Sequence, residues 1–149
     1  MTNYIVVFNS FLSKIQKDST FALYSDSELV EDLISIMNNA IPLFRYPREN
    51  LLLKNDSTEI FDEDLNLDTI SVLTDFMKYE WYQRKTANSD SIDQRIVSKD
   101  LTFYSQANHT LSLQKNIEEA YLIAKRNEAR YYTAYRGVPT ITGLVGDEI

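Results

Sequence analysis

LQKNIEEAYLIAKRNEARYYTA, residues 113–134, is the stretch that decides the fold. Leu113, Ile117, Ala120, Ala124, Asn127, Tyr131 and Ala134 recur at alternating steps of four and three. That spacing draws one narrow stripe along an α-helix. Alanines in its middle keep the stripe thin, so another helix can approach closely. Working outward, Ser105 is a good N-cap and the pattern runs on to Tyr135. The expected helix is roughly 45 Å long at 1.5 Å per residue.

Glycine usage agrees with a helical body. The chain has three glycines, Gly137, Gly143 and Gly146, and none in residues 1–136. A body without them is expected to be long helices with few tight turns, since glycine is the default residue of positive-φ turns. At 149 residues and 44% hydrophobic the chain can bury one core. The absence of cysteine excludes a disulfide framework, a cysteine–zinc cluster and a thiol nucleophile.

Three further helices are predicted N-terminal to the deciding stretch. Asn3 to Gln16 carries Tyr4, Val7, Phe8, Phe11, Leu12 and Ile15 on one face, and this spacing is wrong for a secretion signal. Ser25 and Glu28 form a capping box for a second helix, whose stripe of Leu29, Leu33, Ile36, Met37, Ala40 and Phe44 is widened by Val30, Ile34 and Ile41. That width marks it as the expected centre of the body, disturbed and then ended by Pro42 and Pro47. A third helix runs from Asp68 to Lys85, apolar along Ile70, Leu73, Met77 and Trp81 and again along Val72, Phe76 and Tyr79. Between the second and third, Leu51 to Leu53, a polar Lys54–Ser57 turn and Thr58 to Phe61 have the pattern of a small β-hairpin. Thr86 to Asp93 reads as a polar connector to a short amphipathic piece at Ile92, Ile96 and Val97. No stretch is long and apolar enough to span a membrane, so a soluble chain made in the cytoplasm is expected.

Little here points to catalysis, and no catalytic residue, metal ligand or cofactor is assigned. His109, the only histidine, falls four residues after Ser105, but no acidic residue nearby in sequence orients the pair. Asp62 to Asp68 imitates the start of a calcium loop. Leu67 stands where the required glycine belongs, and Leu73 where the closing glutamate belongs. Asn55-Asp56-Ser57 and Asn108-His109-Thr110 match a glycosylation triplet without a secretion signal to give it meaning. A net charge of −7 argues against a protein that wraps nucleic acid, though not against one lining a passage that DNA slides through.

The binding features gather at the C-terminal end. Four of ten tyrosines fall in the last helix: Tyr121, Tyr131, Tyr132 and Tyr135. Consecutive Tyr131 and Tyr132 point about 100° apart on a helix, so one of them is expected to meet a second chain. Arg136-Gly137 has the form of a helix C-terminus, and Pro139 prevents its resumption. Beyond it Val138, Ile141, Leu144, Val145 and Ile149 are apolar, and 13 residues cannot bury them unaided. An extended tail that adds to a partner's groove or sheet edge is expected.

From about Phe61 to Gly137 the sequence resembles the neck, or head–tail connector, proteins of tailed phages of Gram-positive bacteria. The resemblance rests on Phe61 before Asp64-Leu65, then Leu73, Met77 and Trp81 on a helix. Ser98-Lys99-Asp100, Phe103-Tyr104-Ser105 and Ala107-Asn108-His109 then lead into a long helix closing on Tyr135-Arg136-Gly137. More loosely, Leu29 to Phe44 and a helix ending Trp81-Tyr82-Gln83-Arg84 are similar to the helical adaptors that dock beneath a phage portal. The resemblance implies a bundle body, a dodecameric ring and a C-terminal arm laid against neighbouring proteins. A longer last helix and the hairpin depart from those adaptors.

The expectation is therefore a mainly α fold: a bundle of about four helices (residues 1–136) with a long C-terminal helix, a small hairpin near 50–62 and an extended tail (137–149). Its implied role is a structural ring subunit of the virion neck, joining portal to tail and letting DNA pass. Its partners would be further copies of itself, the portal and the adjacent neck or tail proteins. Tyr131, Tyr132, Tyr135, Arg136, Val138, Ile141, Leu144 and Val145 are the expected partner-binding residues. The alternative is a small acidic regulator of a host protein, with the six acidic residues of Asp56 to Asp68 meeting a basic target.

Overall fold

The computed structural model describes residues 1–15, 26–96 and 103–136, and within these the side chains of all but 26, 88–96 and 103–110. The predicted tail at 137–149, with Val138, Ile141, Leu144 and Val145, lies outside the described residues, as does the Ser25 cap. The side chains of Ser105 and His109 lie outside them too.

Short strand β1 (Thr2–Asn3) leads directly into helix α1 (Tyr4–Lys14). Asn3 is extended, and its side chain accepts the Ile5 N–H at 2.9 Å, satisfying one of the orphan donors of the first turn. Helix α2 (Asp26–Ala40) tightens into a 3₁₀ turn at Ile41–Leu43, with Pro42 where a proline needs no partner for its missing N–H. Strands β2 (Lys54–Asn55) and β3 (Ile60–Phe61) follow, then α3 (Leu67–Ile96) and α4 (Phe103–Arg136). The molecule is thus mainly helical, with the long C-terminal helix and the small hairpin that were expected.

The hairpin differs in register and in size. Lys54 and Asn55 are strand residues, not the turn, and Asn55 makes the turn by accepting the N–H of Ser57 at 2.9 Å and of Thr58 at 3.3 Å. Glu59 occupies the left-handed region (φ 57°), and its carbonyl accepts the Tyr4 N–H at 2.8 Å. The sheet has a third strand, because β1 pairs antiparallel with the free edge of β3, Thr2 opposite Phe61. A two-residue strand carries almost no hydrophobic period, so β1 is silent in sequence.

The centre of the body is α3 and not α2. Helices α1, α2 and α4 all pack on α3, whose residues Val72 to Met77 are buried without interruption. Two apolar stripes side by side let one helix serve three neighbours. α1 contributes Tyr4, Val7, Phe8 and Phe11, each at most 2% exposed. Tyr4 stacks on Phe61 with ring centroids 4.9 Å apart, so α1 and the sheet share one core.

α3 and α4 run antiparallel, as contacts between Asp68 and Tyr135, Thr69 and Tyr131, Asp75 and Asn127, and Tyr79 and Tyr121 require. The expected seam holds from Leu113 to Tyr131, with Leu113, Ala120, Ala124 and Tyr131 buried and Ile117 and Asn127 half-buried, but not at Ala134, which is exposed. Helix ends were less well read. Thr86 to Asp93 is no connector, since α3 continues through it to Ile96. That stretch is polar but contains no glycine or proline, and Thr86 Oγ1 donates back to the Tyr82 carbonyl at 3.0 Å. Polarity alone does not end a helix. Nor is Ser105 the cap of α4, because the helix already begins at Phe103.

One polar cluster crosses the core. Lys14 Nζ donates to Asp75 Oδ1 and to the Ser71 carbonyl, both at 2.6 Å, while Asn127 Nδ2 donates to Asp75 Oδ2 at 2.8 Å. Both carboxylate oxygens of Asp75, 7% exposed, are thereby matched, and α1, α3 and α4 are tied at one point.

A second polar contact makes stability depend on pH. The Tyr4 hydroxyl donates to Asp56 Oδ1 at 2.6 Å, and Lys54 Nζ donates to the same oxygen at 2.5 Å. Lys54, and after it Tyr4, hold the Asp56 carboxyl below its ordinary 3.8. Burial and the Asp56 bond push the Tyr4 hydroxyl well above its ordinary 10.0. A depressed carboxyl contributes stability that is full above its unfolded value and lost as pH falls through the folded one. A raised phenol contributes stability that is full below its unfolded value and lost as pH rises through the folded one. Thermal melts should therefore plateau between about pH 4 and 10 for this pair. Tyr4→Phe should flatten the alkaline limb, and an unchanged limb would place its cause elsewhere.

Candidate functional site

The chain leaves the 3₁₀ turn through Phe44, 3% exposed, whose ring meets Phe76 at 6.2 Å and Tyr131 at 5.3 Å between centroids. From this anchor the Arg45-Tyr46-Pro47-Arg48 segment runs across the last turns of α4. The Arg45 N–H donates to Glu128 Oε1 at 2.8 Å, and the Arg48 N–H donates to the Tyr131 hydroxyl at 2.8 Å. The loop is therefore pinned to α4 through its backbone, which leaves its side chains for other work.

The Tyr131 bond is part of a relay. Thr69 Oγ1 donates to Glu49 Oε2, so its proton is committed. At the 3.0 Å Tyr131–Thr69 contact the tyrosine must then be the donor. The order runs Arg48 N–H to Tyr131, Tyr131 to Thr69, and Thr69 to a carboxylate, each member polarising the next. Tyr131→Phe would strand the Arg48 N–H and is expected to cost about 1–2 kcal/mol. Faster hydrogen exchange at the Arg48 amide than at Arg45 is the local signature to measure.

These pinned elements enclose an open cleft of about 510 Å³, walled by Arg45, Tyr46 and Arg48 on one side and Tyr132, Tyr135 and Arg136 on the other. The Arg48 guanidinium lies 5.0 Å from the centre of the Tyr135 ring, and that of Arg136 lies 5.1 Å from Tyr132. Tyr46 and Tyr132 face each other with centroids 5.7 Å apart. The Tyr135 hydroxyl donates to Asp68 Oδ2 at 2.7 Å, and this bond chiefly raises its pKa above the ordinary value. Among the described residues none of Arg45, Arg48 and Arg136 has a carboxylate in ion-pair contact. Arg136 Nη1 donates to the Tyr132 hydroxyl at 3.4 Å, and a guanidinium carries five N–H donors, so most of theirs stay available. The cleft can thus hold carboxylate or phosphate oxygens while its tyrosines cover an aromatic or aliphatic neighbour.

Tyr132, Tyr135 and Arg136, which were expected to bind a partner, come together on this cleft. Tyr131 lines the cleft floor but is only 6% exposed, and its hydroxyl is engaged inside the chain. Of the consecutive pair, Tyr132 at 39% exposure is the one a second chain can reach. The other half of the site was missed. Arg45, Tyr46 and Arg48 left a signal, two arginines around a tyrosine–proline pair just past a helix break in an acidic chain. Among the described residues no group of three or more His, Asp or Glu side chains is placed to hold a metal ion. Among them, too, no helix is long and apolar enough to cross a membrane.

Comparison with protein-family models, curated proteins and solved structures found no match to this chain.

Proposed function

We propose that the chain is a non-catalytic structural subunit of a phage head–tail connector, repeated in a ring that joins portal to tail and lets DNA pass. The observation that carries the reading is the tyrosine–arginine cleft at the end of α4. Tyrosine and arginine are the residues enriched where protein interfaces concentrate their binding energy. Here they stand on backbone pinned in the free chain, so little freedom is lost when a partner arrives. The kind of partner comes from the sequence resemblance between Phe61 and Gly137.

In this reading the bundle supplies lateral contacts, α4 reaches axially over 34 residues, about 50 Å, with the cleft at its body-side end, and the segment beyond Arg136 clips onto the portal or the next layer. The site of action is the virion neck. Many modest contacts repeated around a ring hold firmly without any one of them being tight.

Native mass spectrometry of the purified chain, alone and with a portal ring, tests the proposal. A closed complex of many copies that joins the portal is the expected result. A one-to-one complex with a host protein, and no multi-copy species, would replace this reading with that of a small regulator.

A further inference from the structure

We infer that the Arg45–Arg48–Arg136 cleft takes the acidic hairpin of a second copy of this chain, with Glu59 and Asp62, at the two ends of strand β3, as the carboxylates that meet it. The inference rests on the multi-copy reading above and adds the contact through which copies would join.

Four observations carry it. Three guanidiniums surround one opening, and among the described residues no carboxylate of their own chain pairs with them. Two lie over tyrosine rings, 5.0 and 5.1 Å from the ring centres, which restrains them instead of leaving them to sweep through solvent. An opening of about 510 Å³ is far too large for a lone ion and suits a loop bearing two side chains. The same chain also presents the complement. Across Asp56 to Asp68 there are six acidic residues and no basic one. Several of those six are occupied at home: Asp56 with Lys54 and Tyr4, Glu63 with the Asn50 N–H, Asp64 with the amino terminus, and Asp68 with Tyr135. The side chains of Glu59 and Asp62 make no hydrogen bond or ion pair among the described residues. They flank the β3 strand at Ile60–Phe61, and the left-handed backbone at Glu59 sets the exit of the turn.

Net charge of −7 opposes a second copy and a free polyanion alike, so the choice rests on local complementarity: the chain itself presents two carboxylates, Glu59 and Asp62, that meet the cleft's guanidiniums with opposite charge. Cleft and hairpin are different patches, so the contact is head-to-tail. Each added copy leaves one of each unused at the ends, and closing a ring satisfies both.

Charge exchange in the full chain tests this. One variant carries Arg45→Glu and Arg48→Glu, and another carries Glu59→Lys and Asp62→Lys; circular dichroism and melting confirm that each still folds. Either variant alone should self-associate at least tenfold more weakly than the parent, by sedimentation at low salt. Mixing the two should restore assembly, since an acidic cleft then faces a basic hairpin and a basic cleft an acidic one. Native mass spectra of the mixture should show the two variants in equal numbers. Undiminished self-association of either variant, or a folded mixture that does not associate, overturns the inference. So does tight binding of a single-stranded oligonucleotide that the arginine variant loses while its self-association is intact, because the cleft would then serve phosphates. If a many-copy complex survives both variants, the ring reading stands and this contact falls. If the parent stops at two copies yet obeys the exchange, the contact stands and the ring falls. A parent that is monomeric at every concentration overturns both.

Discussion

Asp75→Ala is expected to lower the stability of the fold by about 3–5 kcal/mol, the range for removing one partner of a buried, hydrogen-bonded ion pair. The loss has little to do with the worth of the pair itself. It comes from what stays behind: the Lys14 ammonium, 2.6 Å from Asp75 in the native chain and left with the neutral Ser71 carbonyl but no counter-charge, and the Asn127 amide, left without its acceptor. Lys14 is 24% exposed along its side chain, so it can turn toward water and recover part of its hydration, which favours the lower end of the range. Urea unfolding at neutral pH measures the effect. Asp75→Asn keeps an acceptor for Lys14 and should lose distinctly less. A loss under about 1 kcal/mol for the alanine variant would mean that the cluster behaves like a solvated surface pair.

Phe44→Ala should be comparably damaging, at about 3–5 kcal/mol, through lost burial and the cavity left between α2, α3 and α4. Here the consequence reaches the cleft. Phe44 is the last fixed point before the Arg45–Arg48 segment, and its ring touches both Phe76 and Tyr131. Without it the segment is tied to α4 by the Arg45 and Arg48 N–H bonds and by the partly exposed contacts of Tyr46 with Tyr132 and Arg48 with Tyr135. Hydrogen exchange at those two amides should rise by more than the global destabilisation explains. Leu52→Ala, at a residue 75% exposed nearby, serves as the control and should change stability by no more than about 0.5 kcal/mol. Equal exchange effects at Arg45 and at a core amide of α3 would show that Phe44 supports the whole body and not the loop.

Where burial follows a helical period, sequence alone was sufficient. Most of the α1 face from Tyr4 to Ile15, of the double stripe of α3 and of the α4 seam up to Tyr131 turns inward, because solvent exclusion acts on the same spacing that the sequence displays. Three things escaped. A two-residue strand at Thr2–Asn3 has no period to read, and it exists only because β3 offers an edge. The polar run at Thr86 to Asp93 looked like a break, yet helix termination needs a competing backbone geometry and none is encoded there. The arginines at 45 and 48 lie in irregular chain, where function depends on a hydrogen bond to a residue 83 positions away, a distance over which local pattern carries no information. Only the tyrosines and Arg136 at the end of α4, set on a regular helix, could be placed beforehand.

The dependence of α1 on α3 has a consequence for the order in which the chain is made. Tyr4, Val7, Phe8 and Phe11 leave the ribosome before the surfaces that cover them, Phe61 on β3 and the buried run of α3, which are translated some 50 residues or more later. Until then the nascent chain carries an amphipathic helix with a bare greasy side, a ready target for a holdase chaperone. The α3–α4 pair, by contrast, is built from neighbours in the sequence and can zip up as it emerges. Docking of α1 therefore waits for α3, and α4 closes on α3 afterwards.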